Sequence, residues 1–155
     1  MTTTYASNQY TNQTSVLRDG EPGETRIAFF EGVTATADTG TLNLIKLPPG
    51  KLRIVIKESG FFCSNMAATA NISLGTSAYT ASNGAAVSAA TAALKAVGLV
   101  NAVTGIANYQ CLANVANGAL LLDSANGVTI TGTVSTANTA VNGTFSGWIT
   151  YSYLG

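Results

Sequence analysis

The sequence predicts an all-β protein: an antiparallel β-sandwich or jelly roll, with one short Ala-rich helix and an extended N-terminal arm. Three observations predict it. Many short runs alternate apolar and polar residues at period two, the pattern of half-buried strands. Pairs containing Gly, Pro and Asn punctuate those runs. The 155 residues suit one domain with a sizeable core, and a hydrophobic content of 46% argues against disorder of the chain as a whole. The domain plan is an arm over residues 1–24 and a single sandwich over residues 25–155.

The arm is polar, rich in Thr, Asn and Gln, and ends in Arg18-Asp19-Gly20-Glu21-Pro22-Gly23-Glu24. Its sizeable apolar side chains are Tyr5, Tyr10, Val16 and Leu17. A frayed terminus fits this composition. So does an arm that orders on a partner with its tyrosines as anchors.

Strand signals begin at Arg26-Ile27-Ala28-Phe29-Phe30 and resume at Thr41 to Leu47. Pro48-Pro49-Gly50 follows, with Pro49 presetting φ and Gly50 tolerating the positive φ of a type II turn. Beyond it Leu52, Ile54 and Ile56 share one face, and Lys51, Arg53 and Lys57 the other together with Val55. Phe61-Phe62-Cys63 and Asn71 to Gly75 are further short strands. Residues 84–97 have helix-forming composition. Val87, Ala90, Leu94 and Val97 recur at helical spacing, with Asn83 as N-cap and Gly98 as the stop. An ordered Ala-rich loop is the rival.

Tyr109 to Val115, Ala119 to Asp123, Val128 to Val134 and Thr144 to Leu154 complete the strand set. Asn117-Gly118, Asn126-Gly127 and Asn142-Gly143 separate these segments as hairpin-type pairs. In the last strand Phe145, Ile149, Tyr151 and Tyr153 share one face, the expected core face. Trp148 lies on the opposite face, where it packs against the helix, meets another subunit, or forms a sugar-stacking platform.

The charge distribution weighs against catalysis. Seven Lys+Arg balance seven Asp+Glu, and the chain has no histidine. Beyond Glu58 only Lys95 and Asp123 are charged. Missing histidine removes the commonest general base and the commonest metal ligand. No phosphate-binding glycine loop and no Gly-x-Ser-x-Gly occurs. Asp38 and Asp123 read as turn acids, with only a weak case for calcium. Cys63 and Cys111 lie in no CxxC and read as reduced thiols, a disulfide between them remaining open. No catalytic residue, cofactor or metal is expected.

Zero net charge gives no basis for nucleic-acid binding and favours self-association. No cationic, apolar leader opens the sequence, and no apolar run reaches the ~18 residues of a membrane span. Synthesis in a cytoplasm and no membrane association are therefore expected. A charge-poor tract rich in Ala and Thr suits burial between identical copies, because obligate interfaces are depleted in charge.

The order of motifs resembles the small structural proteins of tailed bacteriophages, in particular head decoration or cement proteins. The residues that carry it are Leu47-Pro48-Pro49-Gly50, Ile72-Ser73-Leu74-Gly75 with Tyr79, the Ala-rich segment with Leu94, Val128 to Val134, and Gly147-Trp148-Ile149-Thr150-Tyr151-Ser152-Tyr153. It spans about residues 26–154. The resemblance implies a jelly-roll-like sandwich, usually a homotrimer, on the outside of the shell. There it would clamp the major capsid protein against internal DNA pressure, with no active site. Tyr5, Tyr10, Arg18, Lys51, Arg53 and Lys57 are the expected capsid contacts and Trp148 the expected subunit contact. A phage fibre or baseplate module, or a carbohydrate-binding jelly roll, is the alternative.

Overall fold

The computed structural model describes residues 3–6, 24–35, 40–64, 70–99, 108–111, 119–135 and 143–154. Among them are thirteen strands: β1 (Thr3–Ala6), β2 (Thr25–Ala35), β3 (Gly40–Leu47), β4 (Gly50–Val55), β5 (Gly60–Ser64), β6 (Asn71–Thr76), β7 (Tyr79–Thr80), β8 (Ala86–Val87), β9 (Ala90–Leu99), β10 (Asn108–Cys111), β11 (Ala119–Ser124), β12 (Val128–Val134) and β13 (Gly143–Tyr153). The strands form two main sheets, as the all-β sandwich requires. The first runs β1-β3-β12-β6-β9. The second is centred on β13, with β2 along one side and β5 then β4 along the other. β10 and β11 flank β5 and β4. All pairings are antiparallel except that of β1 with β3.

The period-two pattern explains the core. Inward-facing Leu42, Leu44, Ile72 and Leu74 of the first sheet share one buried cluster with Leu52, Ile54, Phe145, Ile149 and Tyr151 of the second. Phe61 and Phe145 stack with centroids 6.4 Å apart. Each such side chain contributes roughly 1.5–3 kcal/mol by leaving water.

The helix expected over 84–97 does not form. Residues 86–87 and 90–99 are strands β8 and β9, and β9 pairs with β6 from Asn71↔Leu99 to Thr76↔Ala90. Tertiary pairing overrides the helix propensity of alanine, because β6 would otherwise present an unpaired edge. Asn83 does accept a main-chain N–H, from Ala85 at 3.0 Å, but in the turn joining β7 to β8. Ile56–Glu58 forms one 3-10 turn, the only helical segment among the described residues.

Two of the Asn-Gly pairs do not join hairpin partners. Asn126-Gly127 links β11 in the second sheet to β12 in the first, and β13 after Asn142-Gly143 returns to the second sheet. Asn117-Gly118 lies outside the described residues. Pro48-Pro49-Gly50 is likewise a corner between sheets, since β3 and β4 belong to different ones.

Candidate interaction surfaces

The outward face of the second sheet follows from the alternation of β13. Phe145, Gly147, Ile149, Tyr151 and Tyr153 point inward and are buried, leaving Ser146 and Trp148 on the outer face. Register sets Phe29 of β2 opposite Trp148, and Phe62 of β5 opposite Ser146. The Phe62 and Trp148 rings lie 5.9 Å apart, tilted by 47°. A bulge in β2 sets Glu31 and Gly32 against Ser146, whose hydroxyl accepts the Gly32 N–H at 3.1 Å. The result is an open cleft of about 440 Å³ with aromatic walls from Phe29, Phe62 and Trp148, and Glu31 and Ser146 as polar lining.

Trp148 is held firmly. Its indole N–H donates to the Glu58 carbonyl at 2.6 Å. The Thr150 hydroxyl donates to the same oxygen at 2.9 Å. The Thr150 main-chain N–H donates to the Ser59 hydroxyl, which donates to the Val55 carbonyl, both at 2.9 Å. β4 and β5 act as one bent strand, and these bonds satisfy the polar groups its 3-10 break would otherwise leave orphaned.

Lys51 and Arg53 are exposed on the outward face of β4, and Lys57 is exposed in the turn that follows. Their cross-strand neighbours on β11 are Asp123 and Leu121 respectively for the first two. Tyr5 lies on β1, its backbone opposite Leu42, while Tyr10 and Arg18 fall outside the described residues. The structure thus groups the three β4-region cations. It sets Trp148 in a separate cluster with Phe29 and Phe62.

Sequence reasoning missed Phe29, Phe62, Glu31 and Leu121. The signal was present in β2, where Ile27 and Phe29 alternate with Ala28 and Phe30. Both faces of that strand are apolar, and the face with Ile27 and Phe29 is the exposed one. Phe29 is 61% exposed and Leu121 67%.

Titratable groups in the interior take shifted values from burial. The buried Cys63 thiol is pushed up to about 11 by desolvation. Burial lowers Lys95, whose ammonium donates to the carbonyls of Ile72 and Ala96, each at 3.1 Å. Glu24 raises Arg26 through an exposed ion pair of 2.8 Å. Burial raises Tyr151. These shifts follow from core packing and ion pairing. Asp123 accepts a hydrogen bond from the Ser82 hydroxyl, tying the β7–β8 hairpin to β11.

No family model matches the chain, and no curated protein does. A solved structure shares its fold: a chain of the cyanophage Pam1 capsid asymmetric unit, at a TM-score of 0.57 and 13% sequence identity. The likeness covers 91% of this chain and 93% of that one.

Proposed function

We propose that this chain is a virion structural protein of a tailed phage, a decoration or cement protein that binds the outside of the capsid as a homotrimer. The observation that carries the proposal is the fold shared end to end with a chain of a phage capsid asymmetric unit. The charge distribution supports it. The tract beyond Glu58 carries only Lys95 and Asp123, and suits contact between copies. The arm and the β4 region carry the polar and cationic groups suited to a second surface. On this reading Tyr5, Tyr10 and Arg18 of the arm touch the major capsid protein, with Lys51, Arg53 and Lys57 as the cations nearest the shell. Several modest contacts per trimer add to a high avidity, which is how small subunits reinforce a shell.

The test compares virions assembled with and without this chain by electron microscopy and heating. Added density on the shell exterior and a higher temperature of DNA release would support the proposal. Particles identical in both respects would overturn it.

A further inference from the structure

Resting on the oligomeric reading above, we propose that the aromatic cleft of the second sheet receives Leu121 and Arg53 of a neighbouring copy. The same outward face carries two complementary features. One is the cleft, walled by Phe29, Phe62 and Trp148, with exposed Glu31 among its lining residues. The other is Leu121, 67% exposed on β11, with Arg53 of β4 directly beside it in register. Apolar side chain meets aromatic cleft, and guanidinium meets carboxylate. The two features lie apart on the sheet: Ser146 marks the cleft end of β13, while Ser152 pairs with Arg53 at the other end.

A second copy is the occupant that both halves fit. Phe29 at 61% and Leu121 at 67% exposure are large apolar groups that an isolated subunit gains nothing by presenting to water. Zero net charge gives no long-range preference for a strongly acidic or basic partner. Opposite charges placed one at each feature instead give short-range complementarity between identical faces. Each copy donates one Leu121 and receives one, so neither feature is left uncovered. On this contact Arg53 serves the neighbouring subunit instead of the shell, which keeps Lys51 and Lys57 of the three cations assigned to it above.

The test is mass in solution by light scattering over a range of concentrations, on the full chain. Glu31→Arg, Arg53→Glu and Leu121→Glu should each weaken self-association about 100-fold or more, since like charges or a buried carboxylate replace a matched contact. The double variant E31R/R53E should restore it. These positions are exposed, so the variants should fold, checked by circular dichroism. The one tryptophan of the chain, Trp148, reports directly. Its emission should shift to the blue on association of the wild type and not of Leu121→Glu. A wild type that stays monomeric at every concentration would sink the oligomeric reading and this contact together. A wild-type oligomer whose mass survives all three single substitutions would sink this contact alone.

Discussion

The indole N–H of Trp148 donates to the main-chain carbonyl of Glu58 at 2.6 Å, tying the middle of β13 to the break between β4 and β5. That carbonyl also accepts the Thr150 hydroxyl at 2.9 Å. Trp148→Phe should cost about 1–2 kcal/mol, for one net hydrogen bond and part of the indole contact. Thr150→Val should cost about 1 kcal/mol. The double variant leaves the carbonyl without either donor, so its loss should exceed the sum of the two. Urea unfolding of the four proteins checks this, and simple additivity would show that the two bonds are independent.

The corner between β3 and β4 depends on Gly50 and Tyr153. Gly50 has φ +110°, a conformation other residues rarely adopt, and a Cβ there would meet the Tyr153 ring at 3.1 Å. The Tyr153 hydroxyl closes the corner with a hydrogen bond to the Pro49 carbonyl. Gly50→Ala should cost about 1–3 kcal/mol in backbone strain, before any shift of the ring. Tyr153→Phe should cost about 1 kcal/mol, through the lost bond alone. Thermal unfolding should therefore rank the wild type above Tyr153→Phe and Tyr153→Phe above Gly50→Ala.

Gly75 permits the close approach of β9 to β6. A Cβ on it would lie 1.8 Å from the Ala90 carbonyl oxygen, and backbone cannot yield as a flexible side chain does. Gly75→Ala should cost about 3 kcal/mol or more by overpacking. Protection of the β9 amides should fall first in hydrogen exchange, since β9 is an edge strand held on one side by β6.

Much of this architecture is legible in the residues themselves. Val128 to Val134 alternates strictly and is β12 to the residue, because a half-buried strand needs nothing more than that pattern. Lys51 and Arg53 alternate with Leu52 and Ile54, and β4 exposes and buries them accordingly. Residues 84–97 mislead because alanine favours helices locally, whereas β9 is fixed by β6, some twenty residues earlier in the chain. The pair Asn126-Gly127 announces a positive φ, and Gly127 has φ +85°. It cannot announce that the chain then changes sheet. The Trp148 anchor is invisible for a different reason: its partner is a main-chain carbonyl, which every residue possesses.

Cys63 should make stability fall in alkali. Its thiol is raised from 9.0 to about 11 by burial, so the folded state keeps a proton that the unfolded state releases between those values. Unfolding then becomes easier as pH rises through that window. Tyr151, also raised by burial, acts in the same direction at higher pH. Lys95 is lowered by burial and acts oppositely, its unfolded form holding the proton longer just below 10.5. Cys63→Ala should flatten the decline between pH 9 and 11 in denaturant titrations. A decline of the same slope in the variant would place its origin elsewhere. A disulfide reagent at pH 8 should leave Cys63 unmodified until the chain unfolds, because the thiolate is the reactive form.

The arm should be separable from the fold. Thr3–Ala6 adds to the outer edge of β3, from Thr3↔Gly40 to Ala6↔Asn43, as the one parallel pairing among the described strands. β3 keeps its antiparallel partner β12, and among the described residues the buried cluster begins at Ala28. Removing residues 1–24 therefore takes away edge hydrogen bonds of β3 and leaves that cluster whole. The truncated chain should fold, with a modestly lower unfolding midpoint and the same number of subunits in solution. It should lose occupancy on shells, because on the proposed function the arm supplies the Tyr5, Tyr10 and Arg18 contacts. Co-sedimentation of shells with full-length and truncated chains measures this directly. Equal occupancy would remove the arm from the binding surface and leave Lys51 and Lys57 as its cationic part.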